Sequence, residues 1–192
     1  MNNGDEIIGV LNSGGVVIFP TDTAMGIGCR IDREDAVKRV FAIKGRAQSK
    51  AMPILVSSIE MALAYFDSPS DIVRRFMKEY WPGALTIVDS CQKNLIHSPI
   101  RANGETVGIR MPKFQPLLHI IKQVGVPIVG SSANLSGQPT VFSSSEIDPE
   151  LVKLVDYVME GECTLKQAST VVDCSVTPPK IVRQGAVIIA IN

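Results

Sequence analysis

Four polar loops carry the side chains capable of chemistry: Pro20-Thr21-Asp22-Thr23, Lys44-Gly45-Arg46 with Lys50, Ser131-Ser132-Ala133-Asn134, and Ser169-Thr170 with Arg183. Cations beside hydroxyls and an amide suit an anionic ligand with further hydrogen-bonding groups, because charge-assisted bonds to phosphate are about twice as strong as neutral ones. A nucleoside triphosphate fits that description. Each loop also has an ordinary structural reading: PTDT as a hydrogen-bonded turn, KGR as a C-terminal helix cap favoured by the dipole, SSAN as an Asx or Ser turn. Lys50 is either a mobile cation that approaches the phosphates or a solvated one. Other machineries are excluded by inspection. No GxxxxGK[ST], HExxH or GxSxG occurs, and Gly26-Ile27-Gly28 lacks the third glycine of a dinucleotide fingerprint. His97 and His119 stand outside any polar constellation and read as structural or surface residues. Cys29, Cys91, Cys163 and Cys174 form no C-x-x-C pair, so no metal site is expected and the thiols read as small buried hydrophobes.

These loops are delivered by elements of alternating type. Asp5 is placed to cap a helix carrying Ile7, Ile8 and Leu11, which Gly14-Gly15 ends. Val16–Phe19 and Ile27–Ile31 read as strands. Asp32 opens a helix through Val37, Val40, Phe41 and Lys44, closed by Gly45. Strand Pro53–Val56, helices Ile59–Phe66 and Pro69–Tyr80, the WPGA turn, strands Leu85–Asp89 and Thr106–Met111 and helix Gln115–Val124 follow. Val126–Ser131 reads as one apolar strand, and SSANLSGQPT as a loop too polar for a core. A short helix near Asp148–Leu154 precedes strand-like Val155–Met159, Thr170–Cys174, Lys180–Arg183 and Ala186–Ala190. Strands that alternate with helices and then run consecutively predict an α/β domain with a mixed sheet. Trp81 reads as a packing anchor. Lys44 and Arg46 are expected in a solvated cleft.

The 192 residues, 45% hydrophobic and 20% charged, predict one globular domain over residues 1–192 rather than a disordered or repetitive chain. No apolar run approaches the roughly 20 residues of a membrane span, so no membrane partner is expected. MNNGDEIIGV lacks a basic region followed by an apolar stretch, which predicts a cytoplasmic protein. Nineteen basic and nineteen acidic residues give a formal net charge of zero, so contact with a polyanion requires a local patch.

Taken together the motifs are more specific. PTDTxxGIG, KGR…KAMPILV, YWPGALT, TVGIRMP, SSANLSG and STVVD…IVRQGAV stand in the order found in one family, and from about Ile7 to Ala190 the chain resembles the threonylcarbamoyl-AMP synthases of the YrdC-like family. The resemblance implies a single-domain, twisted mixed α/β fold with a concave basic cavity, in the family's short form. It implies that L-threonine, bicarbonate and ATP, carried with Mg²⁺, give threonylcarbamoyl-AMP and pyrophosphate. The product would serve modification of adenosine 37 in tRNA, with tRNA and a downstream threonylcarbamoyl transferase complex as indirect partners. The family's catalytic Lys, Arg, Ser, Asn tetrad falls on Lys44, Arg46, Ser132 and Asn134. Thr23 and Thr106 would line the threonine and adenylate cavity, with Arg110, Ser169 and Arg183 at the nucleotide and phosphates, while Lys50 stands where members of the family vary. Met25 replaces a usual Tyr and Ala47 a usual Pro. The rival readings are an RNA-binding module, which 5% aromatic content disfavours, and an inactive paralogue, which would be expected to lose KGR and SxN.

Overall fold

A computed structural model describes residues 3–191. Helix α1 (Asn3–Asn12) begins before Asp5, which lies in its first turn rather than at its cap. Ile7 and Leu11 bury one face of α1 against Leu117, Ile121 and Val124 of α5 (Gln115–Val124). Strand β1 (Val17–Phe19) is buried on both faces. Val17 and Phe19 join that cluster, while Val16 and Ile18 join a larger one on the other side. This is why its sequence is an unbroken apolar run rather than an alternating one.

The expected mixed α/β architecture holds, with the strands divided between two sheets. The smaller has the order β7-β2-β1-β8, where β2 is Gly26–Gly28, β7 Ser131–Ser132 and β8 Tyr157–Val158. The larger runs β10-β9-β4-β5-β3-β6, where β3 is Ile54–Leu55, β4 Leu85–Ser90, β5 Thr106–Arg110, β6 Ile128–Val129, β9 Thr170–Asp173 and β10 Lys180–Arg183. Both mix parallel and antiparallel pairs; β4 runs antiparallel to β5 and parallel to β9.

The segment read as one strand, Val126–Ser131, is two. Ile128 and Val129 pair with β3 of the large sheet, and Ser131 and Ser132 pair with β2 of the small one. Gly130 makes the crossing possible, because a Cβ there would stand 2.4 Å from Leu55 Cγ. The SSAN segment is therefore partly strand and partly core: Ser131 and Ala133 are both buried.

Helix α2 (Glu34–Lys44) buries Val37, Val40 and Phe41, and carries Glu34 and Asp35 in its first turn where the dipole favours them. Gly45 ends it in the left-handed region at φ 57°, its N–H bonded to the Ala42 and Phe41 carbonyls. Asp32 does not cap this helix; its carboxylate is held by Arg30 through Nε at 2.9 Å and Nη2 at 2.8 Å. The strand expected over Ile27–Ile31 stops at Gly28, with Arg30 in an isolated bridge to Ile128. Helix α3 (Ile59–Tyr65) is capped by the Ser58 hydroxyl, and α4 (Asp71–Tyr80) starts two residues after Pro69.

The Ala186–Ala190 segment is not a strand. Thr170 Oγ1 replaces a ladder there, accepting from Gly185 N at 2.9 Å and donating to the Val187 carbonyl at 2.5 Å. Trp81 is buried with Nε1 bonded to the Leu85 carbonyl at 2.7 Å, the anchor expected. Among the described residues no helix is long and apolar enough to cross a membrane.

Candidate active site

Strand register decides what meets at the edge of the large sheet. β5 ends at Arg110, one step beyond the Ile87–Ile109 pair, so Arg110 comes level with Thr86 of β4. β4 continues this level into β9 through Leu85 and Thr170, and β9 into β10 through Val171 and Arg183. Arg110, Thr86, Ser169 and Arg183 thus line one side of a cavity of about 180 Å³. The small sheet supplies the opposite side: Thr21, Thr23 and Met25 before β2, and Ser131 and Ser132 of β7. Arg46, just beyond α2, completes a third cationic corner.

The three arginines are held in different ways. Arg110 is 6% exposed, and all three guanidinium nitrogens are engaged by the protein: Nε with the Gly83 carbonyl at 3.0 Å, Nη1 with Thr23 Oγ1 at 2.5 Å, and Nη2 with Asp22 Oδ1. Arg183 grips the loop before β9, giving Nε and Nη2 to the Ser169 carbonyl at 3.1 and 2.9 Å and Nη2 to Ser169 Oγ at 3.1 Å. Ser169 Oγ meets Thr86 Oγ1 at 2.9 Å. Arg46 donates to the Lys50 and Ala51 carbonyls at 3.0 and 2.8 Å. Burial lowers the affinity of all three for their protons, with Asp22 opposing the effect at Arg110.

Lys44 departs from expectation. It is not in a solvated cleft: it is 3% exposed, and its ammonium donates to the main-chain carbonyls of Ser132 and of Asn134. Burial, and after it the Arg46 charge, pull its pKa from 10.5 down to about 8. The Asn134 amide nitrogen bonds the Gln138 carbonyl at 2.6 Å, closing a turn, while its Oδ1 is buried without a hydrogen-bond partner among the described residues. Lys44 and Asn134 therefore shape the loop whose Ser132 lines the cavity.

Of the residues selected from the sequence, the structure brings Thr23, Arg46, Arg110, Ser132, Ser169 and Arg183 to the cavity wall, with Lys44 and Asn134 directly behind it. Two stand elsewhere. Thr106 starts β5 opposite Ser90, four residues and roughly 13 Å of strand from Arg110. Lys50 is exposed, and it is the carbonyl of Lys50 that meets Arg46. Thr21, Asp22, Thr86 and Ser131 were not singled out as site residues. PTDT and SSAN flagged three of them by position, whereas Thr86 inside a strand gave no local signal. Met25, the departure from the usual Tyr, is fully buried and reaches the cavity wall.

A mixed α/β fold that converges three guanidinium groups and several hydroxyls on one polar cavity has the chemistry to hold a small anionic ligand. Comparison with known proteins narrows this. A family model for Sua5, YciO and YrdC, described as telomere recombination, matches residues 9–185. The chain belongs to this family. It is 31% identical over 179 residues to the threonylcarbamoyl-AMP synthase of Bacillus subtilis, covering 93% of this chain and 52% of that protein. A putative threonylcarbamoyl-AMP synthase of Mycobacterium leprae is 33% identical over 190 residues, with 95% and 83% covered. The crystal structure of P. abyssi Sua5 complexed with L-threonine superposes with a TM-score of 0.91 at 30% identity, covering 95% of this chain and 54% of that one. E. coli YciO, at 24% identity and a TM-score of 0.82 over 95% of this chain and 88% of its own, shares the fold. The chain spans about half the length of the Bacillus subtilis relative and of P. abyssi Sua5.

Proposed function

We propose that the chain makes threonylcarbamoyl-AMP and pyrophosphate from L-threonine, bicarbonate and ATP. The observation that carries this reading is the convergence of Arg46, Arg110 and Arg183 with the hydroxyls of Thr23, Ser132 and Ser169 on one cavity. The relatives named above support the choice of substrates. At about 180 Å³ the cavity is below the roughly 300–1,000 Å³ of pockets that enclose drug-sized ligands. It is of a size for an amino acid and the phosphate it reacts with, and the nucleoside extends through the mouth.

The chemistry is positioning and charge neutralisation. The threonine amine and bicarbonate condense to a carbamate with loss of water. A carbamate oxygen then attacks the α-phosphorus in line while pyrophosphate leaves. Arg46 and Arg183 stabilise the charge that develops on the phosphate oxygens, and the ordered hydroxyls orient the amino acid. Mg²⁺ arrives with the triphosphate as part of the substrate. Lys44 keeps Ser132 in place by clamping the main chain on both sides of Ala133. The product then passes to a threonylcarbamoyl transferase that modifies adenosine 37 of tRNA. We read the residues as one domain sufficient for the adenylation step.

Incubation with Mg²⁺-ATP, L-threonine and labelled bicarbonate tests the proposal. Label should appear in an adenylate, with one pyrophosphate released for each. Binding of tRNA without any adenylate would overturn it in favour of an RNA-binding role.

A further inference from the structure

A second cavity, of about 430 Å³, opens at the far end of β4 and β5 from Arg110 and shares no lining residue with the first. Its wall is the loop that joins these two strands, together with Tyr65 at the end of α3 and Asp32 before α2. The loop is held firmly. Ile96 and Ile100 are buried in the core, and the Ile100 carbonyl accepts from Met52 N at 2.8 Å. Ala102 and Asn103 both stand in the left-handed region, at φ 50° and 61°, a conformation that persists only where the surrounding bonds enforce it. Arg101 supplies such bonds, giving Nε to the Ile96 carbonyl at 3.2 Å and Nη1 to the Gly104 carbonyl.

A guanidinium clamped in this way keeps its direction and still has donors to give: Arg101 Nη2 makes no hydrogen bond among the described residues. The acid on the wall does not neutralise it, because both Asp32 oxygens are taken by Arg30, Oδ1 by Nε at 2.9 Å and Oδ2 by Nη2 at 2.8 Å. Lys93 meets Glu105 at 2.7 Å, but both side chains are exposed, so the pair is weak and leaves two ammonium hydrogens unused. Positive charge is therefore left over at Arg101. The same wall carries the Tyr65 ring and Leu95, which is 46% exposed. Burial, and after it the Asp32 charge, raise the Tyr65 pKa, so its hydroxyl stays a donor. We propose that this cavity binds a small organic anion, its carboxylate or phosphate on Arg101 and Lys93 and its apolar body on Tyr65 and Leu95. The volume agrees, since pockets that enclose such molecules run from roughly 300 to 1,000 Å³. This second site stands apart from the synthase reading, which concerns the other cavity.

The test is an amide NMR titration of the full isotope-labelled chain with phenyl phosphate, benzoate, inorganic phosphate and benzyl alcohol. At least one of the two aromatic acids should give saturable shifts at Tyr65 and over residues 93–101, and the tighter of them identifies the charged group as phosphate or carboxylate. Inorganic phosphate and benzyl alcohol each carry half of the ligand and should bind at least about tenfold more weakly. Arg101→Gln should weaken the acid by about tenfold or more, and Lys93→Gln and Leu95→Ser by about threefold each. Arg46→Ala should leave these shifts as they are, because Arg46 lines the other cavity. Arg101 also clamps its loop. If Arg101→Gln unfolds that loop, the exposed Lys93→Gln and Leu95→Ser decide, and wild-type affinity in both overturns the proposal. So does the absence of saturable shifts over residues 93–101 with either acid, or shifts confined to the surroundings of Arg46 and Arg183. Inorganic phosphate or benzyl alcohol binding as tightly as the acids overturns it equally.

Discussion

The Lys44 ammonium donates to the main-chain carbonyl of Asn134 at 2.7 Å, joining the end of one helix to a loop 90 positions away. With its second bond, to the Ser132 carbonyl, this makes Lys44 a buried clasp, whereas Arg46 two residues later stands at the cavity wall.

The two cations should therefore respond differently to removal. Lys44→Ala leaves two carbonyls without their charged donor and should cost about 2–3 kcal/mol of stability along with activity. Arg46→Ala should lower pyrophosphate release by tenfold or more while stability changes by about 1 kcal/mol or less. Calorimetric melting and a pyrophosphate assay on the same preparations check both. Equal melting temperatures for the two variants would contradict the clasp.

The Lys44 clasp also predicts a pH dependence. Its folded-state pKa is about 8, against an ordinary value of 10.5, so between these values the unfolded chain holds a proton that the folded chain has released. Stability contributed at this position should rise with pH across that window, by at most about 1.4 kcal/mol per pH unit. The neutral amine keeps two N–H groups, enough for both carbonyls. Denaturant melts of wild type and Lys44→Met from pH 7 to pH 10.5 isolate the effect as a growing difference in favour of wild type. A difference that shrinks as pH rises would show that the carbonyls hold the charged form.

Gly130→Ala should disturb the crossing between the sheets. The added Cβ meets Leu55 Cγ at 2.4 Å, and Leu55 is itself buried, so the clash should cost about 1–3 kcal/mol and displace Ser131 and Ser132. Combining it with Leu55→Ala should cost less than the sum of the two single changes. Additive losses in thermal unfolding would place the strain elsewhere.

Asn134→Ala removes the bond that closes the turn onto Gln138 and the buried Oδ1 that has no protein partner among the described residues. Adenylate formation should fall by roughly tenfold to a hundredfold, the rate equivalent of about 1–3 kcal/mol, with the fold retained. Rapid-quench assays with labelled bicarbonate measure this. Wild-type turnover with loss of tRNA affinity alone would assign the loop to RNA.

Much of this protein is written locally. The Gly45 stop after an amphipathic helix and the apolar run of β1 are determined by neighbouring residues, so the α/β alternation was legible in the sequence. The motifs likewise named the loops that supply Arg46, Ser132, Ser169 and Arg183. Tertiary structure decided the rest. Val126–Ser131 reads as one strand because periodicity carries no record of Leu55, which packs so close to Gly130 that no Cβ fits where the chain passes from one sheet to the other. Thr106 and Arg110 share a strand, and only the register with β4 sets Arg110 at the cavity and Thr106 at the far end. Ala186–Ala190 looks extended and apolar, but Thr170 takes up its backbone groups before a ladder can form. Lys44 looks like a solvated cation because the sequence cannot show that its partners are carbonyls 88 and 90 positions away. Side-chain type and local spacing fix which groups are available; the pairing of distant backbone fixes which way they face.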